Sequence, residues 1–236
     1  MYLKNKRVKG MDTCVYSFTG HYGSGKTEAA VNFAVKLKRQ GRNTALIDLD
    51  IVNPFFRSAD ARELLETLGI RTEFPLYANT NVDVPALTGV MGALIRDEAY
   101  DVVLDVGGDD LGAKALGRYR EDILSRKKHL QFFVMNPNRP FTKDLPSASR
   151  IYDEIEAASG MRCDALVGNT NLLEDTTPET VLAGLPLLNQ LAGQKHVSIA
   201  YHAITEAAAD ALLKEHGELF REENIIRINR TVKRLF

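Results

Sequence analysis

The chain has 236 residues, 44% of them hydrophobic, enough to bury the core of one sizeable α/β domain. A formal net charge of −1 argues against an overall basic field for nucleic acid, and no long apolar run reads as a signal peptide or membrane span. Two lone cysteines, Cys14 and Cys163, each placed in a predicted buried strand, suit a reducing cytoplasm; without a C-x-x-C pair they give no support for an iron–sulfur or zinc site.

Residues 1–12 form a basic arm with Lys4, Lys6, Arg7 and Lys9, expected to be a solvated tail, with an anionic partner as the alternative. A β-prone run at 14–19 ends at Gly20. After a glycine-rich turn, Ala30, Phe33, Ala34 and Leu37 recur at helical spacing, giving a helix over 26–39 that Gly41 closes. Strands are predicted at 44–48, 101–106, 130–135, 165–168 and 197–201, with weaker ones at 72–75 and 225–228. Helices are predicted between them at 58–68, 85–99, 116–126, 143–158, 178–192 and 206–216. This alternation predicts an α/β fold in a single domain over 1–236: a doubly wound, mostly parallel sheet with helices on both faces. Ligands of such sheets bind beyond the carboxyl ends of the strands.

The first such end carries the chemistry. Gly20-His21-Tyr22-Gly23-Ser24-Gly25-Lys26-Thr27 fits the phosphate-loop pattern G-x-x-x-x-G-K-[ST]. Its glycines let successive N–H groups converge on a phosphate, and the helix start through Glu28 adds the positive end of its dipole. Lys26 supplies a compact charge for the β- and γ-phosphates, and the Thr27 hydroxyl is placed to hold Mg²⁺.

Three later strand ends are polar in the right way. Asp48 and Asp50, at i and i+2 on an extended segment, point the same way; one suits metal-bound water and the other the water attacking a γ-phosphate. A helix cap or turn carboxylate is the bland alternative. The apolar run up to Asp105, followed by Gly107 and Gly108, has the form of a Walker B segment whose carboxylate binds Mg²⁺ and whose glycines admit the terminal phosphate. Asn169 offers donor and acceptor to the N6 and N7 edge of adenine, or else caps a turn. No Asn/Thr-Lys-x-Asp run favours guanine.

Together the loop, Leu46-Ile47-Asp48-Leu49-Asp50, Asp105-Val106-Gly107-Gly108, Val134-Met135-Asn136-Pro137 and Gly168-Asn169 resemble the MinD/ParA group of P-loop ATPases. The wider class (SIMIBI) includes the nitrogenase iron protein, the arsenical-pump ATPase, carbon-monoxide-dehydrogenase maturation ATPases and the cobyrinate-diamide and dethiobiotin synthases. The likeness runs from Val15 to the region of Gly193. It implies ATP and Mg²⁺ as ligands, with Lys26 and Thr27 on phosphate and metal, Asp48 and Asp105 serving the metal, and Asp50 positioning the hydrolytic water. It also implies a nucleotide-dependent homodimer.

Two departures stand out. In these relatives a second lysine opens the loop and reaches across the dimer to the partner's nucleotide; here that position is His21, and Tyr22 replaces a usual glycine. A lysine is charged at pH 7 and an ordinary histidine largely is not. The cross-dimer charge is therefore absent, pH-dependent or supplied elsewhere, with Arg57, Lys114, Arg118 and Arg120 as candidates. The usual Asp-x-Pro-x-Gly of the third motif is Asp105-Val106-Gly107-Gly108-Asp109, so that loop is expected to differ in conformation.

At the C-terminus, Ile225, Ile228, Val232 and Leu235 fall at a/d spacing among Arg227, Arg230, Lys233 and Arg234, similar to the amphipathic membrane-targeting tail of MinD proteins. The segment 224–228 reads equally as a last strand. These readings lead to a cytoplasmic, Mg²⁺-dependent ATPase acting as a nucleotide-controlled switch on an unknown protein partner. The alternatives are an ATP-dependent ligase of the dethiobiotin or cobyrinate synthase type and a binding module with little turnover.

Overall fold

A computed structural model describes residues 12–50, 61–74, 89–108 and 110–229. The basic arm up to residue 11, Arg57, the starts of the predicted helices at 58–60 and 85–88, Asp109, and the tail from Arg230 with Val232, Lys233, Arg234 and Leu235 lie outside the described residues.

Eight strands form one sheet: β1 (Val15–Thr19), β2 (Thr44–Leu49), β3 (Arg71–Glu73), β4 (Asp101–Val106), β5 (His129–Met135), β6 (Ala165–Gly168), β7 (Ser198–Thr205) and β8 (Ile225–Ile228). Their order is β3-β2-β4-β1-β5-β6-β7-β8, and every pairing is parallel. The helices are α1 (Lys26–Arg39), α2 (Arg62–Thr67), α3 (Gly89–Arg96), α4 (Asp110–Arg118), α5 (Arg120–Leu124), α6 (Leu145–Ser159), α7 (Pro178–Lys195) and α8 (Glu206–Glu215). From β1 the chain winds out through β2 and β3, returns to β4, then crosses to β5 on the other side of β1. The carboxyl end of β1 is thus the switch point of the sheet, where ligands of this architecture bind.

Strands β2 and β4 are buried along their whole length, as parallel strands covered on both faces must be. Their side chains alternate between two cores. Leu46 and Val103 pack with Ala30, Phe33 and Ala34 of α1, whereas Ala45, Ile47, Val102 and Leu104 pack with Met91 and Ile95 of α3. Asp48 and Asp105, two residues beyond Leu46 and Val103, therefore face the α1 side. That places both carboxylates on the face where the glycine loop enters its helix.

Helix α1 is buried almost all round because the sheet curls over it. The Lys36 ammonium donates to the carbonyls of Glu222 (2.9 Å), Glu223 (2.9 Å) and Ile225 (2.6 Å), and Asn32 exchanges hydrogen bonds with the Asn229 backbone. These bonds join the β8 edge to the helix that follows the loop.

Several boundaries differ from the sequence expectation. The predicted helix at 116–126 is two helices, α4 and α5, broken at Tyr119. Leu116, Tyr119 and Ile123 all enter the α3-side core, so the apolar periodicity runs on across the break and hides it. Helix α4 also begins earlier, at Asp110, in a stretch whose glycines read as loop. Strand β7 extends to Thr205 because β8 pairs with His202–Thr205. That same pairing makes 225–228 a strand, overriding the helical a/d spacing of Ile225 and Ile228. Both cysteines are buried, but Cys14 precedes β1 and Cys163 precedes β6. Burial pushes their thiols up to about 11 and about 12, which keeps both protonated.

Candidate functional site

The turn from β1 into α1 opens its helix without a side-chain cap. Its N-cap is Gly25, at φ 85° and ψ 25°, whereas α6 is capped by Asp144 and α7 by Thr177. A helix start without such an acceptor suits an anion at its first turn. Gly25 is required for two reasons. Its backbone is left-handed, and a Cβ there would lie 2.1 Å from the Asn169 amide nitrogen. Asn169, at the end of β6, donates through Nδ2 to the Ser24 carbonyl (2.7 Å) and through its backbone N–H to the Met135 carbonyl (2.8 Å). It holds the loop from beneath. Gly25→Ala should therefore cost about 1–3 kcal/mol of folding stability in urea unfolding, adding backbone strain to a clash with a buried amide; an unchanged midpoint would contradict this packing.

Beside the loop, carboxylates gather on the α1 face. Asp48 and Asp105 are Cα partners across the β2–β4 pairing, and both are fully buried. The Asp50 N–H donates to Asp48 Oδ1 (2.8 Å), and Asp50 Oδ1 lies 3.2 Å from where a Cβ on Gly107 would sit. Burial, then the Asp48 carboxylate, pushes the Asp105 carboxyl well above the ordinary carboxylate range, while Lys26 and the Thr27 hydroxyl act against that rise. Both Asp105 oxygens are buried with no hydrogen bond of normal geometry among the described residues, so Thr27 is near enough to act electrostatically without closing a bond. Lys26 is itself buried, and its Nζ donates to the His21 carbonyl (3.1 Å).

This donor set fits Mg²⁺. The ion takes one or two carboxylates and a hydroxyl, and completes its octahedron with water and substrate phosphates. Among the described residues no three His, Cys, Asp or Glu side chains converge into a ready metal cage, and such a cage is not what Mg²⁺ with a phosphate ligand needs.

The end of β4 rests on the loop. The Tyr22 N–H donates to the Gly108 carbonyl (3.0 Å), and a Cβ on Gly108 would lie 2.6 Å from Tyr22 N and 2.8 Å from Lys26 Nζ. The His21 ring stacks on Phe141, with centroids 4.2 Å apart and planes at 25°. Its Nδ1 lies 3.0 Å from the Tyr22 carbonyl; a carbonyl only accepts, so Nδ1 carries the proton in that contact.

Gly20 to Thr27, Asp48, Asp50, Asp105, Gly108 and Asn169 thus lie together at neighbouring strand ends. Glu28 instead turns along α1, where its Oε2 accepts from Asn32 (3.3 Å). Of the candidates for the missing lysine charge, Arg120 is excluded: its Nε donates to the Gly160 carbonyl (3.0 Å) at the foot of the sheet, the end opposite the loop. Lys114 and Arg118 are exposed on α4. The segment 136–142 begins with Asn136-Pro137, part of the resemblance, and brings to the loop Arg139 and Phe141, neither of them among the predicted site residues. Its signal was the turn-forming run Asn136-Pro137-Asn138-Arg139-Pro140 at a strand end, which gains meaning only once β5 is known to lie beside β1.

The sequence profile of the CobQ/CobB/MinD/ParA nucleotide-binding domain matches residues 15–235. The chain belongs to that family. The family placement agrees with the resemblance drawn from the loop and the strand ends. No curated protein matches the sequence significantly. Among solved structures, the chain is similar to chloroplast FtsY from Physcomitrella patens (TM-score 0.54, 16% identity, covering 85% of this chain and 61% of that one). It is also similar to cell division protein FtsY from Thermotoga maritima (0.51, 16%, 83% and 63%). A third is the signal recognition particle receptor FtsY from Elizabethkingia anophelis in complex with GDP (0.50, 18%, 84% and 59%). At these identities the likeness is one of fold, the α/β P-loop NTPase architecture. The chain spans between 59% and 63% of the length of those proteins.

Proposed function

We propose that this family member is a Mg²⁺-dependent ATPase of MinD/ParA type, a single nucleotide-binding domain that switches its hold on a protein partner with the state of its nucleotide. The observation that carries the proposal is the convergence of buried Lys26, Asp48, Asp50 and Asp105 with the part-buried Thr27 at the start of α1. An excess of desolvated carboxylate over ammonium is costly unless a cation joins it.

In this mechanism Lys26 would bind the β- and γ-phosphate oxygens, and Thr27 with Asp48 and Asp105 would hold the metal. Mg²⁺ held there would supply positive charge against that developing on the transferred phosphoryl group. Asp50 orients the attacking water and takes up its proton at a carboxylate oxygen. Asn169 keeps Oδ1 unpaired among the described residues while its Nδ2 is committed to Ser24. A lone acceptor suits the N6 amino group of adenine better than O6 of guanine.

Switching follows from the two bonds that close the loop. A triphosphate competes for the Lys26 ammonium held by the His21 carbonyl and for the Tyr22 N–H held by Gly108, which links phosphate binding to the end of β4. Around the same strand ends Tyr22, Leu111, Phe141, Leu172 and Leu173 are exposed, an apolar rim that favours a homodimer or another protein docking over the nucleotide. Among the described residues no helix is long and apolar enough to cross a membrane; a cytoplasmic location belongs to this proposal.

The test is phosphate release by purified protein. Mg²⁺-dependent release from ATP without added metabolite is expected, and Asp50→Ala should keep ATP binding while slowing hydrolysis on the order of 100-fold or more. Wild-type hydrolysis by Asp50→Ala would remove Asp50 from its role. Turnover only with an added carboxylic acid and amine would move the protein to the ligase class, and tight binding without release to the binding-module class.

A further inference from the structure

We propose that Arg139 supplies, within the same chain, the positive charge on the terminal phosphates that this phosphate loop lacks at its second position. The inference rests on nucleotide binding at the loop as proposed above. His21 stands where a lysine would extend. Its ring is instead stacked on Phe141 and its Nδ1 is turned to the carbonyl of the neighbouring Tyr22. A ring spent on those contacts projects no flexible cation over the loop.

Two residues before Phe141, Arg139 comes to the loop from the other side. Its Nε lies 3.9 Å from where a Cβ on Gly23 would sit, close enough for the guanidinium to reach a group cradled by the turn. The segment that carries it is rigidly built. Asn136 Oδ1 accepts from the Asn138 N–H (3.0 Å), and the Asn136 carbonyl accepts from the Arg139 N–H (3.0 Å) and the Thr142 hydroxyl (2.6 Å). The Arg139 carbonyl accepts from the Thr142 N–H (3.0 Å), and Asn136 Nδ2 donates to the Asn171 carbonyl (3.0 Å). Pro140 further fixes the backbone next to the arginine.

Among the described residues the guanidinium itself is committed to nothing. Arg139 is exposed and forms no ion pair or side-chain hydrogen bond among the described residues. Several other arginines are spent on protein partners: Arg42 on Asp101, Arg126 on four oxygens near β4, and Arg227 on Glu206, Asp210 and Glu222. A planar fork of donors held at the lip of a phosphate loop, with no carboxylate of its own, is placed for bidentate contact with phosphate oxygens. The same segment stacks His21 through Phe141, so one loop both removes the histidine from the phosphates and delivers the arginine.

Equilibrium titration of the full chain with fluorescent, non-hydrolysable ATP and with ADP, in Mg²⁺ buffer, tests the assignment. Arg139→Ala should weaken triphosphate binding on the order of tenfold and diphosphate binding much less, because a charge-assisted bond to the terminal group is lost. Arg139→Lys should recover part of the loss. The exposed position makes misfolding of these variants a minor concern, and circular dichroism checks it. Unchanged triphosphate affinity in Arg139→Ala, or an equal loss for ADP and ATP, overturns the assignment while leaving nucleotide binding intact. A wild-type protein that binds neither nucleotide removes the proposed function, and this inference with it.

Discussion

Lys26→Ala is expected to raise the Kd for ATP by about 100-fold or more, because a buried ammonium in a charge-assisted phosphate contact has no substitute at that point in the loop. The same change has a second, structural consequence. Lys26 lowers the energy of the ionised Asp105, so its removal leaves the carboxylates of β2 and β4 with less compensation. The nucleotide-free variant should therefore melt below the wild type. Combining Lys26→Ala with Asp105→Asn should restore the melting temperature but not the affinity, which separates the two effects in one calorimetric series. ATP affinity within threefold of the wild type in a folded Lys26→Ala protein would show that the turn does not bind the triphosphate.

The second large effect runs the other way. Asp105→Asn should stabilise the nucleotide-free, Mg²⁺-free protein at pH 7 by about 1–2 kcal/mol, while removing the extra stability that Mg²⁺ with ATP confers. An amide replaces a carboxylate buried beside Asp48, and its N–H₂ becomes a donor to that neighbour. The sign with pH is fixed by the direction of the shift. Because the folded state raises the Asp105 carboxyl above its ordinary 3.8, the folded protein holds that proton more tightly than the unfolded chain. The stability from this group is fully present below 3.8 and is lost as pH rises through the higher folded value. Wild-type protein without ligand should thus lose stability on going from pH 4 towards neutrality, and Asp105→Asn should show a flatter profile. A variant less stable than wild type at pH 7 without Mg²⁺ would mean that Asp105 is already compensated by a group other than the metal.

Such a trade of stability for function is the expected mark of a binding site. The loop, the two stacked carboxylates and the bare Asn169 acceptor each violate a rule of good packing. Each becomes reasonable when a polyphosphate and its cation are supplied.

Much of this was legible in the residues. Strands β4, β6 and β8 and helix α1 begin and end where the sequence predicts, because apolar runs bounded by Gly, Asn and charged residues leave few alternatives. The loop was legible because its chemistry is local: glycines, lysine and threonine act within eight consecutive residues. Asp48, Asp50 and Asp105 were legible as strand-end carboxylates, but not as a contact. The break at Tyr119 was hidden, since both helices that meet there keep one apolar face and periodicity carries no mark of a bend. The strand at 225–228 was ambiguous, since four apolar-rich residues satisfy either period until β7 offers its edge.

The sequence by itself determined the type of fold and the phosphate loop, because both depend on short-range patterns: hydrophobic period, turn chemistry and a contiguous motif. Only the tertiary structure decided which strand ends lie beside that loop. The order β3-β2-β4-β1-β5-β6-β7-β8 sets Asp48 against Asp105, hangs the loop on Asn169, and swings Arg139 and Phe141 to its lip. Those neighbours are 57 to 145 residues distant along the chain or lie on strands inserted out of order. Their meeting is fixed by sheet pairing and core burial, which no local pattern encodes.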